Sequence, residues 1–221
     1  GIFGGPSPVR IEGLDATRPD VLRACDYRNA APFAGRRMLV IGGGNSGVGL
    51  ARELARAGNP IVMAVRDPLP KRPVTLAGPV SKLTGPVLQS IPVRWASFLK
   101  HRIPVPSFVD REFLDAVAGK RIDVRPVVVR IEGNSARFAD GSTAAFDVAL
   151  VCTGYRPALA SLLQGLVTFD AHGQPLHRDG LSTEHPGLAF LGMPHQRTFV
   201  SQFLRGIARD APAVVDALLG A

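Results

Sequence analysis

The chain carries two short apolar runs separated by a stretch with helical periodicity. Met38–Ile41 is fully apolar, and Ile61–Val65 is a second apolar run with β-branched residues. Between them, apolar positions recur mostly every three or four residues, the spacing of a helix that lies on a sheet. These positions are Val48, Ala51, Leu54 and Ala55. Gly58 stands where a glycine commonly ends a helix. The pattern predicts a strand–helix–strand unit.

The remaining chain contains shorter apolar runs bounded by turn residues. The pattern predicts a helix at 110–118, strands at 124–131, 135–138 and 146–152, and tail helices at 199–208 and 211–219. Asp110 is the expected N-cap of the first of these helices. Prolines interrupt residues 1–35, and residues 68–108 read as a proline-rich irregular insertion. The order of elements predicts an α/β fold, with a parallel sheet and flanking helices.

Glycines follow the first apolar run at the GxGxxG spacing. Gly42 permits a tight turn off the strand, Gly44 lets the backbone approach a pyrophosphate, and Gly47 lets the helix pack closely on the strand. Backbone N–H groups at the start of the helix then face the pyrophosphate. Asn45 and Ser46 complete the loop. Because a strand and a helix flank this spacing as the motif requires, we predict a dinucleotide site here.

The end of the second strand indicates which dinucleotide binds. An NAD site usually places Asp or Glu there to accept hydrogen bonds from the ribose hydroxyls. That position is Val65, which cannot accept them, and Arg66 follows. A guanidinium suits a 2′-phosphate, so the sequence favours NADP(H). Two alternatives stay open: Arg66 is only a solvated strand-end residue, or Asp67 takes the acidic role and the site binds NAD.

Composition narrows the function classes further. The net charge is +8, but the arginines, which greatly outnumber the lysines, are scattered and form no basic patch with aromatic residues. We therefore expect no nucleic-acid partner. Cys25 and Cys152 lie far apart and the histidines lack ligand spacing, so no metal site is expected. The sequence shows neither a spanning apolar segment nor a secretory pattern, which favours a cytoplasmic protein with no integral membrane segment.

Several motifs together resemble the two-dinucleotide flavoproteins, and most closely the flavin-containing monooxygenases. The loop reads GGGNSG, and the run 146–157 reads FDVALVCTGYRP, where that family carries a similar A-T-G-Y-R-P. Pro186–Met193 is similar to the family's strand that returns to its FAD domain. Cys152 stands where the family has alanine. Gly1 is not an initiator methionine, and the FAD fingerprint is absent from this chain, so we expect an N-terminally truncated member.

The resemblance implies a domain organisation and two cofactors. Residues 1–35 would be a linker from a FAD domain, 36–153 a Rossmann-like NAD(P)-binding domain containing the insertion, and 154–221 the C-terminal part of the FAD-binding domain. NADPH would reduce FAD, and a flavin hydroperoxide would oxygenate a small organic substrate. Thr153 and Gly154 would lie near the nicotinamide or the domain crossover. The resemblance nominates no catalytic side chain, and the sequence is silent on oligomeric state.

One departure from the family keeps other activities open. The family's FxGxxxH stretch aligns with Thr17, Pro19 and Arg23, so none of its three signature positions is kept. This loss favours an NADPH-dependent flavin reductase or oxidase without oxygenation. A third reading is a non-catalytic module that binds NADP(H), because the FAD fingerprint is missing. Whether this chain itself is active stays open at this point.

Overall fold

The computed structural model describes residues 4–73, 92–93, 108–156, 158–160, 162–171 and 173–220. The chain divides into two compact units. The sheet unit comprises Pro6–Leu76 and Pro106–Gly154, and the tail unit comprises Gly1–Gly5, Ala77–Val105 and Tyr155–Ala221. Most of the predicted insertion at 68–108 lies outside the described residues.

A five-stranded parallel sheet forms the centre of the sheet unit. Its strands are β2 (Val21–Arg23), β3 (Met38–Ile41), β4 (Ile61–Ala64), β5 (Ile122–Arg125) and β9 (Val148–Val151). They lie in the order β2-β9-β3-β4-β5, and every neighbouring pair is parallel. All residues of β3 and β9 are buried, as expected for central parallel strands covered on both faces. The α/β fold with a parallel sheet is confirmed.

Two helices cover one face of this sheet. Helix α1 spans Asn45–Arg56 and helix α2 spans Arg111–Ala118. Their buried side chains pack with alternate residues of the strands, because successive strand residues point to opposite faces. The predicted cap is confirmed, since the Asp110 carboxylate accepts a hydrogen bond from the backbone N–H of Phe113 at 2.9 Å. Asp110 is also paired with Arg52 of α1, so the cap links the two helices.

An antiparallel sheet of three strands covers the other face. The strands are β6 (Val128–Glu132), β7 (Ser135–Phe138) and β8 (Thr143–Ala145), in that order. Phe138 and Ile131 pack against Leu39 and Ala149 of the parallel sheet. Among the described residues, helices therefore flank one face of the parallel sheet and a meander covers the other.

The prediction of one strand at 124–131 is wrong. Pro126 interrupts this segment and has no N–H to donate to a ladder. β5, before Pro126, joins the parallel sheet, whereas β6, after it, pairs antiparallel with β7. A single apolar run is therefore shared between two sheets.

The predicted division of the C-terminal tail into two helices is also wrong. A single helix, α3, spans Leu204–Leu219 and continues through Pro212. Gly206, Asp210 and Val214 are buried at a four-residue spacing, so one face stays packed across the proline. The tail unit also contains β11 (His177–Arg178) and β12 (Leu181–Ser182), which pair antiparallel. The two-residue strands β1 (Gly5–Pro6) and β10 (Tyr155–Arg156) stand where the chain passes between units.

Residues 1–35, predicted to be an irregular linker, contribute the edge strand β2 to the parallel sheet. A short 3-10 helix at Ala31–Phe33 follows it. Among the described residues, no helix has the length and apolar character needed to cross a lipid bilayer.

An ion pair joins Arg37 and Asp147, the residues directly before the central strands β3 and β9. The Asp147 carboxylate accepts from the Arg37 backbone N–H at 2.8 Å and from its guanidinium at 2.7 Å. These bonds lower the pKa of Asp147 from 3.8 to about 2. Its ionised form therefore stabilises the fold above pH 4, and this contribution is lost as the pH falls from about 4 to about 2.

We expect Asp147→Asn to lower the melting temperature at pH 6, and the difference from wild type to shrink near pH 2. Thermal unfolding followed by circular dichroism at both pH values measures this. Asp115→Asn is the matched control, since Asp115 is exposed on α2. An Asp147→Asn difference that stays constant across this pH range would contradict the assignment.

Candidate functional site

The carboxyl ends of the three central parallel strands meet at one edge of the sheet. The backbone N–H of Gly42, just after β3, donates to the carbonyl of Ala64 at 2.9 Å. The N–H of Cys152, just after β9, donates to the carbonyl of Ile41 at 2.7 Å. In open α/β sheets, ligands bind outside this edge. The structure thus brings the predicted glycine loop and the segment after β9 to the same place.

Two glycines of the loop are required by the fold itself. Gly42 has a φ of +123°, which L side chains rarely adopt, and a Cβ there would lie 2.3 Å from the carbonyl oxygen of Cys152. A Cβ on Gly47 would lie 2.0 Å from the carbonyl oxygen of Gly42. Both distances are far below van der Waals contact. Gly42 and Gly47 therefore let β9, the turn and α1 pack against one another.

Gly44 differs from these two glycines because nothing in the fold requires it. Its φ is −74°, and a Cβ there would meet no atom within 4 Å. Gly44 is the N-cap of α1, and no side chain of the described residues caps the helix start. Gly44, Asn45 and Ser46 are exposed. Open space over an uncapped helix N-terminus is the arrangement that accepts an anionic group such as a phosphate.

Asn45 makes a contact that sequence reasoning missed. Its side-chain carbonyl oxygen accepts a hydrogen bond from the backbone N–H of Phe108 at 2.8 Å. Phe108 precedes α2 in the chain, so Asn45 joins the loop to the segment that enters this helix. The side-chain oxygen of Asn45 is therefore already hydrogen-bonded. The backbone of Asn45 lies in the first turn of α1, next to Gly44. No local sequence signal marks a partner 63 residues away.

The end of β4 lies against the glycine loop. A Cβ on Gly43 would be 2.9 Å from a methyl group of Val65, so backbone and side chain are in close contact there. Val65 is buried, and Arg66 and Asp67 directly after it are exposed. The sequence signal for this contact is Gly43, the middle residue of the run Gly42–Gly44. Arg66 therefore directly follows Val65, the buried residue that touches the loop just after β4.

Thr153 and Gly154 follow β9 and bind the N-terminal segment. The N–H of Ser7 donates to the carbonyl of Gly154 at 2.9 Å, and the Thr153 hydroxyl donates to the carbonyl of Ser7 at 3.3 Å. Gly154 has a φ of +84° and is the last residue of the sheet unit before the chain enters the tail unit. These bonds give both residues a structural role at the edge where the sequence predicted a nicotinamide contact.

Comparison with known proteins identifies the family. The model of the pyridine nucleotide-disulphide oxidoreductases matches residues 1–192. The chain belongs to this family. It is 28% identical over 194 residues to a probable indole-3-pyruvate monooxygenase, YUCCA8, of Arabidopsis thaliana, covering 75% of this chain and 45% of that protein. It is 24% identical over 196 residues to senecionine N-oxygenase of Tyria jacobaeae, covering 87% of this chain and 34% of that protein.

Solved structures give the same result. A flavin-containing monooxygenase from Stenotrophomonas maltophilia is similar over 99% of this chain and 60% of its own, with a TM-score of 0.72 and 26% identity. A bacillithiol disulfide reductase from Bacillus cereus shares the fold, with a TM-score of 0.66 and 19% identity, over 97% of this chain and 58% of its own. The resemblance to flavin-containing monooxygenases is confirmed. The chain spans about half or less of the length of these curated relatives.

The cysteines of this chain are not arranged for disulphide chemistry. Both are free, Cys25 being exposed and Cys152 buried. Burial raises the pKa of the Cys152 thiol to about 12, and the thiolate is the reactive form. The residues that the structure describes also contain no group of three or more His, Cys, Asp or Glu side chains placed to hold a metal ion.

We therefore expect one thiol to react with Ellman's reagent at pH 8 in the native protein, and two after unfolding in guanidinium. Cys25→Ser removes the native reaction, whereas Cys152→Ala leaves it unchanged. Fast modification of Cys152 in the folded chain would contradict its burial. Measured thiol counts of the two variants separate these outcomes.

Proposed function

We propose that this chain binds NADP(H) at the glycine loop and forms the NADPH-binding part of a flavin-dependent monooxygenase acting on a small organic substrate. The observation that carries the proposal is the open space at Gly44 over the uncapped start of α1. A pyrophosphate approaching there meets backbone N–H groups and the positive end of the helix dipole. The proposed cofactor-binding residues are Gly42, Gly44, Asn45, Ser46, Gly47, Arg66, Thr153 and Gly154.

Arg66 and Val65 are the two residues to which we assign the choice of NADP(H) over NAD. Arg66, exposed after β4, supplies two parallel N–H donors to the 2′-phosphate of NADPH. Val65 is buried against Gly43 and offers no acceptor for a ribose 2′-hydroxyl, which disfavours NAD. Thr153 and Gly154 shape the edge beyond β9, through their bonds to Ser7.

The proposed reaction needs both cofactors, NADPH as the hydride donor and FAD as the group that activates oxygen. In balance, NADPH, one proton, O₂ and the substrate give NADP⁺, water and the oxygenated substrate. Relatives named as monooxygenases of indole-3-pyruvate, senecionine and trimethylamine support this class of substrate. We also propose a cytoplasmic location, which agrees with two free cysteines.

A flavin reductase or oxidase is the second candidate, because the segment that replaces the family's FxGxxxH stretch is engaged locally. The Thr17 hydroxyl donates to the Asp15 carboxylate at 2.7 Å, and Arg18 pairs with Asp20. Arg23 lies in β2 at the edge of the sheet. These contacts hold the segment to itself and to the sheet. The side chains of the family's signature are replaced here by residues with local structural contacts.

The purified chain supplied with FAD, NADPH and trimethylamine as probe tests the proposal. Binding is read from the fluorescence of NADPH, and turnover from NADPH, O₂ and H₂O₂ measured together. Oxygenated trimethylamine equal to the NADPH consumed supports a monooxygenase, whereas an equal amount of H₂O₂ supports an oxidase. Tight NADPH binding with no oxidation supports the non-catalytic module. Absence of NADPH binding would overturn the proposal for this chain.

A further inference from the structure

The tail unit contains a polar cavity of about 210 Å³ that the proposed NADPH function does not use. It is lined in part by Arg197, Thr198 and Asp210, with Asp179 and Arg209 also on its wall. Of these lining residues, Asp179 and Arg209 are exposed, and both are charged. The dinucleotide loop belongs to the sheet unit, whereas the described residues that line this cavity belong to the tail unit.

Asp210 is the informative residue of this cavity. It lies on the buried face of α3 and is only 3% exposed. Its Oδ2 atom is buried and has no hydrogen-bond partner among the residues that the structure describes. An unpaired buried carboxylate oxygen carries an energetic cost, because it loses water without gaining a donor. A donor group brought by a ligand would remove this cost.

Arg197 carries the opposite charge, and hydrogen bonds hold its backbone in place. Its N–H donates to the Ser201 hydroxyl at 3.1 Å, and its carbonyl accepts from the N–H of Val93 at 2.8 Å. The neighbouring Thr198 N–H donates to the same Ser201 hydroxyl at 2.9 Å. Among the described residues, no carboxylate forms an ion pair with the Arg197 guanidinium. The cavity thus presents a buried acceptor and a cationic donor that do not satisfy each other.

We propose that this cavity binds a small α-amino acid, with its ammonium group on Asp210 and its carboxylate on Arg197. A ligand with one charge would satisfy only one of the two side chains, whereas a zwitterion satisfies both through charge-assisted hydrogen bonds. The volume is below the roughly 300–1,000 Å³ of sites for drug-sized ligands, which selects a compact molecule. Asp179 and Arg209 add one charge of each sign, so the described lining residues carry equal numbers of acidic and basic side chains.

Glycine is the first probe, titrated into the whole 221-residue chain and followed by ¹H–¹⁵N NMR. We expect saturable shifts in the residues around Asp210. Asp210→Asn and Arg197→Gln each weaken glycine binding about tenfold or more, because each removes a charged partner. Asp216→Asn is the matched control on the same helix: Asp216 is exposed, and we expect its variant to bind glycine as wild type does.

A probe series on the wild-type protein tests the proposal without any variant. Methylammonium and acetate, each carrying half of the zwitterion, should bind more weakly than glycine. Trimethylglycine should also bind more weakly, since its nitrogen has no N–H for Asp210. Equal binding of glycine and trimethylglycine, equal binding by the Asp210 and Asp216 variants, or no saturable glycine binding would each overturn the proposal. NADPH binding by the same sample is an independent readout of the dinucleotide site.

Discussion

Replacing Gly42 with alanine is expected to destabilise the protein by about 3 kcal/mol or more and to abolish NADPH binding. The added Cβ would lie 2.3 Å from the Cys152 carbonyl oxygen, and the φ of +123° is strained for alanine. Such backbone strain alone costs about 1–3 kcal/mol, and the overlap adds to it. Urea denaturation measures the loss of unfolding free energy. Gly47→Ala should behave similarly, because its Cβ would lie 2.0 Å from the Gly42 carbonyl oxygen.

Gly44→Ala is the matched control for this prediction. Its Cβ would meet nothing within 4 Å, and its φ of −74° suits alanine. We expect the free energy of unfolding to fall by about 1 kcal/mol or less, the cost of alanine at an N-cap. NADPH affinity should nevertheless fall by about tenfold or more, because the methyl group occupies the approach of the pyrophosphate. Unchanged NADPH affinity in folded Gly44→Ala protein would remove the basis of the proposed site.

Arg66→Ala is expected to raise the dissociation constant of NADPH by about 10- to 100-fold and to leave that of NADH unchanged. The difference arises because only NADPH carries the 2′-phosphate, and a hydrogen-bonded charge pair contributes about 1.5–3 kcal/mol. Isothermal titration calorimetry with both dinucleotides measures the two constants. Arg66→Lys should recover part of the lost affinity, since it restores the charge but not the two parallel donors.

Asp67→Asn tests the alternative in which the acidic residue binds the ribose of NAD. If Arg66 makes the selection, this variant changes neither dissociation constant by a large factor, because Asp67 is exposed beside it. Weaker NADH binding in Asp67→Asn, together with unchanged NADPH binding in Arg66→Ala, would instead assign the site to NAD. Higher salt should weaken NADPH binding more than NADH binding in the wild type, as screening of a surface charge pair predicts.

Local sequence patterns predicted an element correctly where the residues of one short segment are enough to specify it. Met38–Ile41 and Ser135–Phe138 have the predicted bounds, because unbroken apolar or alternating residues bounded by turns specify a strand without outside help. The Asp110 cap also forms as predicted. Pattern reasoning failed at Pro126 and Pro212, two prolines with opposite outcomes. The first separates two strands that join different sheets, whereas the second is carried inside a helix held by its buried face.

The sequence by itself determined the α/β class, the strand–helix–strand unit and the position of the glycine loop, because periodicity and glycine spacing are local properties. Only the tertiary structure decided what each glycine is for. Gly42 and Gly47 are enclosed by other backbone atoms, whereas Gly44 faces open space, and that distinction depends on atoms brought from β9 and from the turn. The bond between Asn45 and Phe108 likewise joins distant segments, and the Oδ2 atom of Asp210 is left without a partner among the described residues; no local pattern encodes either feature.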